Sequence, residues 1–379
     1  MLINELPNDC LLIIFDQMNY LGDLINCSKV CIKWNHLVVK RTKKVKYFME
    51  DPDYSSDYVY YRGRGPFDVT CLSTLFPNLK IAEFSHKMER KVEFEDIVAF
   101  VKNHESLKGL LLGYFFTRPI EEHCDKLEML SVDTLDPSII QNGSSIKQLY
   151  ILICTLDDFK RDAHHFPNLE RLHIVSNEAP YSYYDGPVLE KLKIVELGFT
   201  FTYDTDICYG FHFMDSCPNL QSAHIFLDSH RFFVDETIKH KCLQDLVIDF
   251  GGPSRINWND LKRLLMKYPN LKHLGLRGAR NIKDEHIKQL VHILPNLVLF
   301  QVTVCEEITQ SAAGYIKDYC EKYGRSIKFY FDENFSEIES DWPQLSTKQE
   351  KISRGFDFMK HCFLKFIHRV PNFLIPIDY

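Results

Sequence analysis

Arg171, His173, Lys191 and Lys193 are the side chains of this 379-residue sequence best suited to hold a ligand. If successive segments lie side by side about 5 Å apart, as strands of a sheet do, these four form one basic patch. Such a patch holds an acidic or phosphorylated segment through charge-assisted hydrogen bonds. The same four residues also read as a solvated face that only keeps the sheet soluble. Bond-breaking chemistry is not indicated. His164-His165 precedes Pro167 with no Cys or Asp at metal-ligand spacing. Cys27 and Cys31 read as sharing a helix, with no basic neighbour to activate either thiol. There is no nucleophile elbow and no Walker loop. Gly63-x-Gly65 lacks both a preceding strand and a third Gly, so it cradles no phosphate. No catalytic residue, metal ligand or cofactor is therefore expected.

The patch requires elements that present it, and the sequence supplies a repeat. An apolar position, two variable, an apolar, one variable and an apolar recur with first residues Leu79, Leu107, Leu127, Ile146, Leu169, Leu189, Leu220, Leu243, Leu271 and Leu297. Pro-Asn-Leu precedes the strand at Leu79, Leu169, Leu220, Leu271 and Leu297. Each copy predicts a short strand whose first, fourth and sixth side chains point inward. The stretches between copies are often helical in pattern. Ile282, His286, Ile287, Leu290 and Val291 make one stripe; Ile308, Ala312, Tyr315 and Ile316 make another. A unit of this size cannot cover its own apolar face, so neighbours must stack, giving a parallel sheet along the inside of an arc. Strands at 45–48 and 327–331 extend the count to eleven or twelve repeats. The alternate residues then face the concave side, where His224, Phe226, His273 and Arg277 join the basic patch. Leu111, Met129, Tyr150 and Leu152 offer a second, apolar portion that grips an apolar anchor or lies under a loop or the tail.

The first forty residues are organised differently. Leu11, Ile14, Phe15 and Met18 form one helical stripe after Leu6-Pro7, leaving Leu12 and Ile13 on another face. Asp23 caps a second helix, and Val30, Trp34, Leu37 and Val38 mark a third that ends in Lys40-Arg41-Lys43-Lys44. Three short helices bury too little surface to stand alone, so the apolar side chains left over need a partner or the rest of the chain.

Leu6-Pro7-Asn8-Asp9, the run Leu11 to Phe15, Asp23-Leu24 and Val30-Cys31-Ile32-Lys33-Trp34 resemble the F-box over residues 2 to 40. One departure is Ile32, where the family usually has a basic residue. The resemblance implies docking to the Skp adaptor, and through it to cullin and RING subunits. It implies that Leu6, Pro7, Leu12, Ile13, Leu24, Val30, Cys31 and Trp34 face that adaptor. The last two repeats, Leu276-x-x-Ala279-x-x-Ile282 and Val302-x-x-Cys305-x-x-Ile308, look like the cysteine-containing leucine-rich repeats common in F-box receptors.

Composition agrees with an α/β chain of this kind. Hydrophobic residues make up 45%, enough for a sizeable core, and the net charge of −7 has no dense basic arm behind it. Nucleic-acid binding and a membrane span are not expected. The 12 Cys are scattered singly and read as buried thiols of a reducing compartment, the cytoplasm or nucleus. The sequons at Asn142 and Asn334 then read as chance matches. The expected organisation is an F-box at 1–41, an irregular repeat and flexible insert at 42–75 with a loop from Glu50 to Pro66, and a leucine-rich-repeat solenoid at 76–332. A tail follows at 333–379, with Phe356, Met359, Phe363 and Phe366 at roughly helical spacing. The tail caps the open end of the solenoid or runs back along its concave face. The expected function is a non-catalytic substrate receptor of a ubiquitin ligase, binding a substrate of unknown identity. The alternatives are an F-box scaffold that does not turn its partner over and an inhibitor-type repeat protein.

Overall fold

The computed structural model describes residues 3–53, 55–63, 68–84, 88, 92–113, 125–135, 143–180, 182–200, 207–229, 231–252 and 255–379. The sequon at Asn142 and residues Arg64, Gly65 and Pro66 of the expected loop lie outside the described residues. The chain forms two compact units, Met1–Ile146 and Lys147–Tyr379.

The first unit opens with α1 (Asn8–Asp16), α2 (Leu21–Ser28) and α3 (Ile32–Thr42). Pro7 stands at the N-cap of α1, where its missing N–H costs nothing. Asp23 lies inside the first turn of α2, not at its cap, which is Tyr20. Cys27 lies in the last turn of α2 while Cys31 caps α3, so the two thiols do not share a helix. The strands follow as β1 (Tyr47–Met49), β2 (Tyr58–Tyr60), β3 (Ile81–Phe84), β4 (Gly109–Leu112) and β5 (Met129–Val132). The helices between them are α4 (Cys71–Leu75) and α5 (Phe94–Asn103). Neighbouring strands are parallel in the order β5-β4-β3-β1-β2. The expected loop from Glu50 to Pro66 thus contains an edge strand, β2, which alternates half-buried and buried along Tyr58-Val59-Tyr60.

The second unit repeats strand and helix. Its strands are β6 (Gln148–Ile151), β7 (Arg171–Ser176), β8 (Ile194–Phe199), β9 (Ser222–Leu227), β10 (Asp245–Phe250), β11 (His273–Arg277), β12 (Leu299–Thr303) and β13 (Lys328–Tyr330). Each pairs in parallel with the next. The helices α6 (Leu156–Asp162), α7 (Gly210–Asp215), α8 (Trp258–Leu265), α9 (Asp284–Ile293) and α10 (Gln310–Tyr323) fill the returns. Thr155, Asn257 and Thr309 cap three of these with side-chain oxygens, and Gly324 at φ 62° ends α10 in the left-handed region. The core row Leu172/Ile174, Leu246/Ile248, Leu274/Leu276 and Phe300/Val302 is fully buried. Each such side chain stabilises the stack by about 1.5–3 kcal/mol.

The Pro-Asn-Leu signature has a structural cause. Asn78 donates to the Lys43 carbonyl, Asn219 to Glu190, Asn270 to Lys241 and Asn296 to Pro269, at 2.8–3.0 Å. Each side chain satisfies a carbonyl of the preceding turn of the array, where no ladder partner exists. One motif copy falls on a different frame from the one expected. Leu189/Leu192/Ile194 is not the inward set of β8, because Leu172 pairs with Val195 and Ile174 with Leu197. Leu192-x-x-Val195-x-Leu197 satisfies the same pattern three residues later, and Leu192 is the residue that packs as Leu169 does in the copy before.

After β13 the chain forms α11 (Ile338–Asp341), β14 (Ile352–Arg354), α12 (Phe358–His361) and β15 (Phe373–Ile375), with β14 and β15 parallel. The helical spacing from Phe356 to Phe366 yields only the four residues of α12. Gly355 at φ 109° and the pairing of β15 with β14 hold the flanking chain extended.

Candidate functional site

Two surfaces carry the expected binding residues. The first is the three-helix unit. Leu11 and Phe15 of α1, Leu21 and Leu24 of α2, and Leu37 and Val38 of α3 form its interior. Leu24 is 1% exposed, so it is a core residue and not a contact for a partner. Ile13 is 65%, Val30 54% and Ile32 77% exposed, and Pro7 and Cys31 also face solvent. Leu6, Leu12 and Trp34 are half-buried. Trp34 packs edge-on against Phe15 at 5.2 Å, and its indole N–H is enclosed without a hydrogen-bond partner. Lys33 Nζ donates to the Asn4 and Leu6 carbonyls at 3.1 and 2.9 Å, fixing the segment ahead of Pro7.

Ile14 and Val39 are exposed as well and were not among the expected contacts. The apolar stripe of α1 is narrower than Leu11, Ile14, Phe15 and Met18, since the helix buries only Leu11 and Phe15. Arg41 is not a solvated cation at a helix C-terminus. It is fully buried, donating Nε to the Phe15 carbonyl (3.1 Å) and Nη2 to Asn19 Oδ1 (3.0 Å) and the Tyr58 carbonyl (3.1 Å). It therefore ties the last turn of α1 to β2. Burial lowers its pKa, which Asp16 and Asp57 oppose.

The second surface is the strand face of Lys147–Tyr379 that points away from the helices. Here the open basic patch gives way to a different arrangement. The register of β8 places Glu196, not Lys193, opposite His173. Arg171 Nη2 meets Glu196 Oε2 at 2.7 Å, with both side chains buried. His173 lies 3.4 Å from the same oxygen and stacks on Tyr150 at 4.0 Å. Burial pushes the Glu196 carboxyl up, but Arg171 and His173 outweigh it and hold it at about 2. Burial also lowers the pKa of His173. Two strands on, Asp249 accepts from His224 at 2.8 Å and from Arg277 at 3.4 Å, all three again buried.

What buries this row is the tail, which lies along the sheet as a strap. Gln148 pairs with the main chain of Leu374, donating to its carbonyl at 2.5 Å and accepting from its N–H at 2.9 Å. Arg171 donates to the Asn372 and Pro371 carbonyls at 3.1 and 2.6 Å. Arg277 donates to the Lys365 carbonyl at 2.8 Å and to that of Phe363. Between these anchors Phe358, Cys362, Phe363, Val370 and Leu374 pack against Ile194, Val247, Leu299 and Tyr330.

The remaining expected residues are dispersed. Lys191 is exposed and bonded to Asn168; Lys193 is ion-paired with Glu170 at 2.7 Å and sits over the Phe356 ring. Phe226 is half-buried, and His273 meets Asp245 at 2.6 Å. Leu111, Met129 and Tyr150 are buried and Leu152 is exposed. His164 and His165 lie ring to ring at 3.7 Å, tilted by 39°, and His164 faces the Arg161 carbonyl. Among the described residues no group of three or more His, Cys, Asp or Glu side chains is placed to hold a metal ion. Nor does any described helix reach the length and apolarity needed to cross a membrane.

Three helices that leave apolar side chains uncovered, followed by parallel strand-and-helix repeats, define an F-box and leucine-rich-repeat architecture. Residues 3–46 match the F-box domain, and the three helices are that domain. Among solved structures, the Rad7 and Elc1 complex in yeast is similar over 80% of this chain and 90% of its own, with 14% identity and a TM-score of 0.41. The TLR13–ssRNA13 complex is similar over 69% of this chain and 38% of its own, at 14% identity and a TM-score of 0.35. The leucine-rich-repeat protein LegL7 from Legionella pneumophila is similar over 67% and 76%, at 14% identity and a TM-score of 0.32. No curated protein matches the chain.

Proposed function

We propose that this chain is the substrate-recognition subunit of a Skp–cullin–F-box ubiquitin ligase, acting in the cytoplasm or nucleus. The observation that carries the reading is the apolar surface that the F-box leaves to solvent, centred on Ile13, Val30 and Ile32. Large apolar side chains clustered in one small helical unit mark a partner site. The Skp adaptor is that partner, and cullin and RING subunits join through it. The repeats carry the substrate on the strand side, so the chain contributes proximity and orientation, not bond chemistry.

The test is co-purification from cells of the tagged full-length chain. The wild type retains the adaptor. Ile13→Asp with Ile32→Asp lowers adaptor affinity about 100-fold, or about 2.7 kcal/mol, by placing charge in a desolvated contact. Both positions face solvent, so thermal stability stays within about 0.5 kcal/mol of wild type. Adaptor binding that survives both substitutions sinks the assignment of this surface, and a wild type without adaptor sinks the function.

A further inference from the structure

We infer that the strand face of Lys147–Tyr379 is a groove for an extended, uncharged, apolar polypeptide segment, and that residues 371–379 occupy it in cis until such a segment displaces them. The inference rests on the receptor reading and names the substrate class of that receptor.

Recognition in this groove is directed at the main chain. Gln148 makes both hydrogen bonds that a neighbouring strand would make to Leu374, and Arg171 reads the two successive carbonyls of Pro371 and Asn372. Donors that address carbonyls accept any extended segment of suitable side chains, as in strand addition at a sheet edge. The side-chain requirement is apolar, because Phe373, Leu374 and Ile375 are wholly buried.

Charge decides what the groove rejects. Arg171 is already neutralised by Glu196, and Arg277 by Asp249. An acidic or phosphorylated segment entering here would meet these two buried carboxylates and lose its own hydration, while both arginines are already paired. The strap is also an imperfect fit. Arg277 Nε, beneath the tail, and Lys365 Nζ, on the tail itself, are buried donors without hydrogen-bond partners. Enclosed donors without acceptors cost free energy that a better-matched occupant recovers. Residues Pro376, Ile377 and Asp378 are exposed, and β15 pairs only with β14, so peeling 371–379 breaks that two-stranded ladder and leaves the repeat sheet intact.

The experiment uses the full chain and a fluorescein-labelled decapeptide, Val-Pro-Asn-Phe-Leu-Ile-Pro-Ile-Asp-Tyr, read by anisotropy. Phe373→Ala with Leu374→Ala weakens the strap and raises peptide affinity at least tenfold over wild type. Adding Gln148→Ala to that variant lowers it again at least threefold. A peptide with phosphoserine in place of Leu binds at least tenfold more weakly than the parent. Hydrogen exchange on the wild-type chain supplies an independent reading if the variants do not fold. Amides of 371–379 exchange at least tenfold faster than those of β10, because the segment opens locally. Equal protection of the two segments, absence of a gain in the strap variant, or preference for the phosphopeptide each overturns the inference. Adaptor co-purification is scored on the same proteins. Lost peptide binding with adaptor retained fails only this inference, and lost adaptor with peptide binding retained fails only the receptor reading.

Discussion

Glu196 sits where one carboxylate decides whether a buried guanidinium is tolerated. Its neighbours are Arg171 at 2.7 Å and His173 at 3.4 Å, and none of the three reaches solvent. Removing the charge with Glu196→Gln leaves the Arg171 guanidinium buried without its counterion. Chemical denaturation should then show a loss of about 3 kcal/mol. The pH dependence follows from the same contacts. The folded pKa of His173 is depressed below its ordinary 6.5 by burial, with Glu196 opposing and Arg171 and His224 adding to the depression. The unfolded chain therefore binds more protons, so stability is full above about pH 6.5 and falls as pH drops below it. The Glu196 carboxyl, held at about 2, adds its own loss only below its ordinary 4.5. His173→Gln should flatten the melting temperature between pH 6.5 and 5, measured by thermal melts in matched buffers. A slope unchanged by that substitution would assign the acid sensitivity elsewhere. None of this was legible in the sequence, because the stretch from Leu189 to Leu197 fits the repeat pattern in two frames three residues apart. The earlier frame brings lysines beside Arg171; the frame that folds brings Glu196, and turns a basic patch into a neutral one.

At the level of elements, the turn after β12 holds the clearest local conflict. Val304 has φ 56°, a left-handed conformation that is costly for a β-branched residue. It is held there by Asp332, whose two oxygens accept from the Val304 and Cys305 amides at 2.7 and 3.0 Å. Gly278, the aligned position after β11, takes a similar φ of 73° without strain. Asn tolerates this region, so Val304→Asn should stabilise the chain by about 1 kcal/mol in a urea titration. A destabilised variant would mean that the Val304 side chain packs usefully where it is half exposed. Strands and helices of the repeats were readable because each is a local matter of alternation, stripe and cap. The strap was not. Its Phe residues recur at helical spacing, but Phe358 and Phe363 are buried against strands whose sequence lies far away, and that contact wins over local periodicity. Asn334 shows the same limit in small: its amide accepts from the Phe331 N–H and donates to the Phe329 carbonyl, sealing β13.

Across the whole molecule, one apolar surface is closed by the chain and another is left open. The strand face of the second unit is sealed by residues 358–375, whereas the F-box keeps Ile13, Val30 and Ile32 in water. The F-box resemblance implies exposed apolar side chains here, and Ile13 and Val30 are exposed, whereas Leu24 is buried and Ile14, outside that set, is exposed. Which side of a short helix is internal depends on how three helices pack, not on the motif. The difference between a receptor and a mere scaffold lies in the fate of the captured protein, and the open surface allows that to be tested without deleting a domain. Full-length chain carrying Ile13→Asp with Ile32→Asp keeps its repeats and strap, so it should still capture the same partner by proximity labelling. Uncoupled from the ligase, that partner should persist, with a half-life at least threefold longer than beside the wild-type chain when synthesis is blocked. Proteasome inhibition should erase the difference. A partner whose half-life is the same beside both chains would leave assembly as the role of the F-box, since capture would then occur without turnover.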